Sequence, residues 1–268
     1  MPYFPQLSTG AIGQFPLRWT DTFRAVTNVM LDGSTIVSTD PGATGVAWNM
    51  ALAGLSSAEE ATLQNFFESV QGGLDAFTML DPADNLLAYS QDFTQACWAN
   101  GPLLAVTPGV ADPFGGTTAA TLTNTGQAVQ SLSQQINGPG GYQYCFSVYL
   151  KSASGQTVSL TQSGAGSPLQ QAVETLPGWS RFLLSGTTGT GDGVTFSIAL
   201  APGAQISVAC AQAEAQPGAG TYKATGVSGG VYQNCRFDQD ELDMTATGSN
   251  QYSCTVRITS TVPPTWEA

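Results

Sequence analysis

The amino-acid sequence predicts a mainly β protein, in which a small β-rich scaffold with one α-helix is interrupted by an inserted antiparallel β-sandwich. Charged residues make up only 10% of the 268 residues, and the Gly, Thr, Ser, Ala and Gln that replace them suit short strands and turns. From residue 85 to about 224, short β-forming runs recur between Gly and Pro turns. After residue 226 the composition returns to that of the first segment, which an insertion at a loop explains better than two consecutive domains. We therefore expect a scaffold of residues 1–84 and 226–268 around an inserted domain of residues 85–225.

The scaffold is predicted to carry strands on both sides of the insert. Residues 4–20 contain prolines that exclude a helix, so this segment forms either an edge strand or an arm that binds a partner. Turns are expected at Asp32-Gly33, Asp40-Pro41-Gly42 and Gly248-Ser249-Asn250. The expected scaffold strands are 23–30, 35–38, 46–52, 76–80, 231–237, 242–245 and 251–259.

One helix is predicted over residues 58–70. Ser56 or Ser57 can cap it, because Glu59 or Glu60 follows at the spacing of a capping box. Apolar side chains then repeat at helical spacing and form one face. These side chains are Leu63, Phe66, Phe67 and Val70.

The clearest strands of the insert are 142–151, 157–161, 179–185, 194–200 and 206–214. Side chains alternate between the two faces of a strand, so the first of these strands has one face for the core and one for a site. We expect Tyr142, Tyr144, Phe146, Val148 and Leu150 on the core face, and Gln143, Cys145, Ser147, Tyr149 and Lys151 on the other.

Charge and residue usage exclude several classes of function. The net charge is −12, and the seven basic residues are scattered along the chain, which argues against a phosphate-neutralising surface for nucleic acid. Histidine is absent, so Ser-His-Asp, Cys-His and His-containing zinc sites are excluded. The five cysteines include no C-x-x-C pair. We expect buried free thiols, no metal and no cofactor, with a disulfide between Cys235 and Cys254 left open.

The scaffold segments resemble the minor tail protein M family of lambda-type siphophages. The resemblance lies in the order of three strands, a helix at 55–67, a Gly-rich turn, an aromatic strand and a proline at 72–82, and late strands around 233–237 and 252–258. The opening Phe4-Pro5-x-Leu7-Ser8-x-Gly10 is also similar to the N-termini of distal tail proteins in gene-transfer-agent-like particles. The resemblance implies a homo-oligomeric ring, a hexamer, that joins the tail tube protein to the tail hub or tip proteins. It also implies a location at the virion tail tip after assembly in the host cytoplasm.

The insert resembles the jelly-roll, carbohydrate-binding-like domains of many phage tail proteins. Its opening at 85–93 is similar to theirs, and the later pieces at 146–151, 178–181 and 211–215, with Tyr222, stand where that family has strand motifs and a closing tyrosine. The resemblance implies an outward domain that binds a host-surface glycan.

The candidate carbohydrate-binding residues are Tyr149, Lys151, Trp179, Arg181 and Gln212. Aromatic rings bind the C–H surfaces of sugars, and polar side chains reach the hydroxyls; a structural role is the alternative for each residue. Trp98 and Tyr89 are expected to seal the base of the sandwich. Asp84, Asp112-Pro113 and Asp192-Gly193 are read as turn formers and not as calcium ligands.

Three functional hypotheses follow from these patterns. In the first, a tail-tip ring protein projects a glycan-binding insert, and weak single sites gain avidity from the ring. In the second, the insert of the same ring protein is purely architectural. In the third, the chain is a free glycan-binding or hydrolysing protein; a glycosidase needs only two carboxylates, but none of the acidic residues stands in a motif, so we expect no enzyme. The N-terminus lacks the pattern of a secretory signal, so we expect synthesis as a soluble cytoplasmic product without membrane insertion.

Overall fold

A computed structural model describes residues 1–39 and 45–260 of the chain. It confirms the mainly β class, with antiparallel sheets and one helix in the part described. The described residues divide into two compact units: the first contains Met1–Ser8, Ile12–Met79 and residues 232–260, and the second contains Thr9–Ala11 and Leu80–Val231. The turn predicted at Asp40-Pro41-Gly42 lies outside the described residues.

The first unit contains the elements at both ends of the chain. They are β1 Leu17–Thr22, β2 Ala25–Val29, β3 Thr35–Thr39, β4 Gly45–Leu55, α1 Ser57–Ser69, β5 Phe77–Leu80, β16 Val231–Phe237, β17 Met244–Gly248 and β18 Gln251–Ser260. The second unit contains β6 Ala99–Asn100, β7 Leu104–Val110, β8 Ala119–Asn124, β9 Gln130–Pro139, β10 Tyr144–Lys151, β11 Thr157–Ser163, β12 Leu169–Glu174, β13 Ser180–Gly186, β14 Asp192–Leu200 and β15 Gln205–Glu214.

A mixed set of early and late strands forms the sheet of the first unit. The strand order is β1-β4-β18-β16-β5, and β17 pairs with β18. β4 and β18 run antiparallel, with Trp48 opposite Ile258 and Met50 opposite Val256. These four side chains are at most 1% exposed, so the two ends of the chain close one core.

The helix of the first unit begins at Ser57, one residue before the predicted start, and uses the first of the two possible caps. Ser56 is the N-cap: its hydroxyl accepts a hydrogen bond from the Glu59 amide, and the Glu59 carboxylate accepts one from the Ser56 amide. The predicted segment 4–20 ends in β1, which pairs with β4 at the edge of the sheet, the edge-strand alternative of the two. Ahead of β1, the Phe4 amide donates to the Thr78 carbonyl, and the Thr78 amide donates to the Pro2 carbonyl. Phenylalanine rings then join this segment, the helix, β5 and β16, with centroids 4.9–6.3 Å apart. The rings belong to Phe4, Phe66, Phe67, Phe77 and Phe237.

β2 and β3 form a two-stranded hairpin that pairs with no other strand among those described. Its turn is held by the Asp32 carboxylate, which accepts hydrogen bonds from the amide and hydroxyl of Ser34, and Gly33 adopts a φ of 83° there. Large apolar side chains along the hairpin are exposed, including Phe23 at 79%, Val29 at 73% and Val37 at 64%.

The second unit is a sandwich of two five-stranded antiparallel sheets. One sheet has the order β13-β10-β15-β8-β7 and the other has the order β12-β11-β14-β9-β6. Their inner faces meet where Phe196 of β14 packs against Phe146 and Tyr144 of β10, with centroids 5.5 and 5.9 Å apart. Sheets that pack face to face in this way bury alternate residues of each strand, which leaves the outer face of the first sheet for other contacts.

Candidate functional site

The candidate site lies on the outer face of the sheet that contains β10. Tyr144, Phe146, Val148 and Leu150 are fully buried in the sandwich core, as the alternation along this strand predicts. Tyr142 instead precedes the strand and is half-buried, and Cys145 and Ser147 on the other face are also fully buried. Tyr149 and Lys151 are half-buried on the opposite side. β13 runs beside β10 with Arg181 opposite Tyr149, so the alternation of two neighbouring strands brings the predicted residues together.

A β-bulge in β15 brings a third strand to the same face. Ser147 lies opposite Gln212, but Tyr149 lies opposite Ala209, so β15 contains one residue more than β10 over this step. Cys210, at the bulge, adopts a φ of 54°. A bulge changes the side on which later side chains emerge, and here it places both Ala209 and Gln212 on the outer face.

Aromatic side chains cover the small residues on this face. Tyr149, Trp179 and Tyr222 pack, together with Val110, against Ala119, Ala209 and Cys210. The Tyr222 hydroxyl is 2.8 Å from the Ser90 hydroxyl, and burial raises its pKa above the usual range of tyrosine. Alanine on neighbouring strands leaves room for large rings to lie across the sheet, which explains why the aromatic residues gather here.

Each of two predicted aromatic residues has a cation beside its ring. The Lys151 ammonium lies 4.5 Å from the centroid of the Trp179 ring, and the Arg181 guanidinium carbon lies 5.8 Å from that of Tyr149. Both distances are within the range of cation–π attraction. These pairs place two positive charges beside the rings of this face.

The side chains of Arg181 and Gln212 form hydrogen bonds within the second unit, mostly to main-chain groups of residues 220–223. Arg181 donates to the Gly220 carbonyl at 2.6 Å and to the Ser147 hydroxyl at 2.9 Å. Gln212 is 1% exposed; its amide nitrogen donates to the Thr221 carbonyl at 3.3 Å, and its oxygen accepts from the Lys223 amide at 2.7 Å. These two residues therefore support the face through internal hydrogen bonds. The side chains of Tyr149, Lys151 and Trp179 are half-buried and partly accessible to solvent.

Phe114 belongs to the same face, although the sequence analysis did not identify it. Its ring is 63% exposed, stands edge-on to Tyr149 at 5.6 Å and is stacked with Tyr222 at 6.1 Å. Phe114 stands between Pro113 and Gly115, which indicate a loop, so no strand alternation would bury its ring. An aromatic residue in a predicted loop is a sequence signal that could have identified it. We call Val110, Phe114, Tyr149, Lys151, Trp179, Arg181 and Tyr222 the aromatic face.

The loop that carries Phe114 is shaped by Asp112. This carboxylate accepts hydrogen bonds from the amides of Phe114, Gly116 and Thr118 and from the Thr118 hydroxyl, at 2.8–3.2 Å. Burial raises the pKa of Asp112, but these donors outweigh it and lower the pKa below its usual value. Asp112 thus acts as a turn former, as the sequence predicts. Within the described ranges, no three His, Cys, Asp or Glu side chains lie together as metal ligands would.

Other sequence predictions concern residues away from the aromatic face. Trp98 is 4% exposed, packs against Phe93 at 5.1 Å and donates to the Tyr89 carbonyl at 3.1 Å, which agrees with a sealing role. All five cysteines are buried free thiols, as predicted, and Cys235 and Cys254 are not joined. Over the part of the chain that the structure describes, no helix has the length and apolar character needed to cross a membrane.

The chain was also compared with known proteins. No family model and no curated protein matches it. Among solved structures, one match is the enzymatically active domain of tailspike protein 4 of bacteriophage CBA120, with 13% identity and a TM-score of 0.41 over 51% of this chain. The matched region spans 22% of that tailspike chain.

Two further matches are carbohydrate-binding modules. A family 22 xylan-binding domain from Paenibacillus barcinonensis has 15% identity and a TM-score of 0.39, covering 51% of this chain and 97% of that domain. A family 61 module in complex with β-1,4-galactotriose has 19% identity and a TM-score of 0.36, covering 48% of this chain and 97% of that module. These values assign the chain to no family.

Proposed function

We propose that the second unit binds a polysaccharide across the aromatic face, with Phe114, Tyr149, Lys151 and Trp179 in contact with it. The observation that carries this proposal is the exposed Phe114 ring beside Tyr149 and Tyr222, on a sheet face that also holds two cations. A ring left in water at the edge of an aromatic cluster offers the flat apolar surface that the C–H face of a sugar covers. The neighbouring amine supplies a hydrogen-bond donor for sugar oxygens.

Arg181 and Gln212 act on the ligand through the groups that they hold. Arg181 fixes the Gly220 carbonyl and the position of Tyr149, and Gln212 fixes the chain near Tyr222. We expect their loss to loosen the face without removing a ligand contact. The proposed activity is binding, with no catalytic role.

We further propose that the chain is a structural subunit of a phage tail tip, in which the first unit forms a hexameric ring between the tail tube and the hub. The family resemblance of the two scaffold segments supports this role, and so does the exposed apolar hairpin of β2 and β3, which is suitable material for contact with a neighbouring subunit. The proposed location is the virion tail tip, after assembly in the host cytoplasm. A ring would present several copies of the aromatic face, and avidity would multiply a weak affinity.

Titration calorimetry of the full chain against a panel of bacterial polysaccharides tests the binding proposal. We expect Phe114→Ala to weaken binding about two- to twelvefold, since an aromatic contact contributes roughly 0.5–1.5 kcal/mol. Val129→Ala is the matched control, because Val129 is also 63% exposed but precedes β9 of the other sheet. Equal affinities of Phe114→Ala and the unchanged protein would refute the assignment of the face.

A second candidate function is an insert that only contacts other tail proteins. The internal hydrogen bonds of Arg181 and Gln212 favour it, because part of the face is already covered by the protein itself. Deletion of residues 85–225 in a particle that carries this chain separates the two candidates. Particles that assemble but adsorb poorly support glycan binding, whereas failed assembly supports the architectural role. Cryo-electron microscopy of particles with the unchanged chain would show whether the chain lies at the tail tip.

A further inference from the structure

We infer that the polysaccharide bound by the aromatic face is anionic and that Lys151 pairs with its acidic groups. The inference rests on the proposed binding function and adds the chemical class of the ligand. It is drawn from the distribution of charge in the second unit and from the partners of each charged group near the face.

Positive charge in the second unit is concentrated on the aromatic face. Residues 80–231 contain seven acidic residues and only three basic ones, which are Lys151, Arg181 and Lys223. Two of the three basic side chains stand beside the rings of this face. Lys223 instead lies close enough to Asp84 for its charge to oppose the rise that burial causes in the pKa of Asp84. A predominantly acidic unit thus presents its two other cations together, where a glycan would lie.

Neither of these two cations is neutralised by an ion pair. Lys151 contacts the Trp179 ring, and no carboxylate in the described ranges pairs with it. Arg181 donates to a carbonyl and a hydroxyl, both uncharged, and its Nε is buried without a hydrogen-bond partner among the described residues. Neutral acceptors orient Arg181 and leave its charge uncompensated, so it adds to the positive potential beside Lys151 without contacting the ligand.

Asp112 and Glu214, whose charges act on groups of this sheet, are held by hydrogen bonds from neutral donors, which orient the carboxylates and leave their charge in place. Asp112 accepts four hydrogen bonds inside its loop. Glu214, which is 8% exposed, accepts hydrogen bonds from the Gly220 amide and the Gln216 side chain. Their oxygens therefore point at donors of the protein, while the Lys151 ammonium stands half-buried at the surface beside Trp179. A carboxylate on a sugar could meet this ammonium while its ring covers the neighbouring aromatic side chain.

The test compares acidic polymers with forms of the same polymers that have lost their charge. Alginate, polygalacturonate and polysialic acid are each titrated against the full chain beside their carboxyl-reduced derivatives, in 50 mM and 500 mM NaCl. We expect at least one acidic polymer to bind five- to tenfold more tightly than its reduced derivative. This preference should shrink in high salt, because the Debye length falls from more than 10 Å to a few ångströms.

Two charge variants locate the effect. Lys151→Met keeps an apolar stem over Trp179 but removes the charge. It should therefore lower the affinity for the acidic polymer about three- to tenfold and leave the affinity for the reduced polymer unchanged. Lys151→Arg keeps the charge and should retain the preference for the acidic polymer. Lys223→Met, the control, removes a positive charge beside Asp84 and is expected to change neither the affinity for the acidic polymer nor that for the reduced one. Reduced polymers that bind as tightly as the acidic ones, or a Lys151→Met variant that keeps the preference, would overturn the inference and leave the proposed function standing. An absence of binding by every polymer of both sets would overturn both.

Discussion

The side chain of Asn85 links the segment around Leu87, strand β15 and the segment around Lys223. Its replacement by alanine should destabilise the second unit. The side chain is fully buried. Its nitrogen donates to the carbonyls of Ala211 and Lys223 at 2.9 and 3.1 Å, and its oxygen accepts from the amides of Leu87 and Ala213 at 3.1 and 3.0 Å. A carboxamide has two donor hydrogens and two acceptor sites, so Asn85 uses its full capacity.

The expected loss of stability follows from the four broken hydrogen bonds. Each hydrogen bond contributes roughly 1 kcal/mol, and unsatisfied buried partners cost more, so Asn85→Ala should destabilise the unit by about 4 kcal/mol. Asn85→Asp keeps the shape but replaces both donors with acceptors and buries a charge. We expect the aspartate variant to be at least as destabilised at neutral pH, with partial recovery in acid when the carboxyl group carries a proton.

Hydrogen exchange followed by mass spectrometry measures this effect within β15. A chain of two units need not unfold in one transition, whereas peptides covering 205–214 report on the strand that Asn85 holds. Asn100→Ala, at an exposed position of β6, is the control and should change little. If Asn85→Ala leaves the opening free energy of these peptides within about 0.5 kcal/mol of the unchanged protein, the assigned role of the amide network is refuted.

Three further predictions concern groups elsewhere in the chain. Burial raises the pKa of Glu59, but hydrogen bonds from Ser56 and Ser8 outweigh it and hold the pKa at about 2, against 4.5 for the free group; the stabilisation is therefore present above pH 4.5 and lost as the pH falls toward 2. Allowing for solvent screening, Glu59→Gln should cost about 1 kcal/mol at pH 7. The cost should shrink as the pH approaches 2, and melting curves of both proteins at several pH values test this. Burial raises the pKa of four thiols to about 11, namely Cys97, Cys145, Cys210 and Cys254. Because only the thiolate reacts, a disulfide reagent at pH 8 should label them slowly until guanidinium unfolds the chain, and rapid labelling of the native protein would contradict their burial. Tyr222→Phe removes the hydrogen bond to Ser90 and should cost about 1 kcal/mol in urea unfolding, with less than a threefold change in glycan affinity; a larger loss of affinity would place the hydroxyl in direct contact with the ligand.

Some strands of the second unit escaped prediction because their inward positions are polar. In β9 the inward row is Gln130, Leu132, Gln134 and Ile136, all at most 9% exposed. Gln134 exchanges hydrogen bonds with both main-chain groups of Ala88, at 2.7 and 2.9 Å. A buried glutamine satisfied in this way is stable, but it removes the hydrophobic alternation by which a strand is recognised in a sequence.

The sequence by itself determined the features that depend on local spacing: the mainly β class, the helix with a capping box at Ser56 or Ser57, and the alternation that places Tyr149 and Lys151 opposite the core. Only the tertiary structure decided which distant segments meet, because strand register and bulges depend on long-range pairing that local patterns do not encode. The bulge at Cys210 brings Ala209 and Gln212 to one face, and the fold places Phe114 against Tyr149. The sequence marks Phe114 as a loop aromatic residue, but only the fold brings it against Tyr149. Hydrogen bonds to main-chain groups made Gln212 a support for the face.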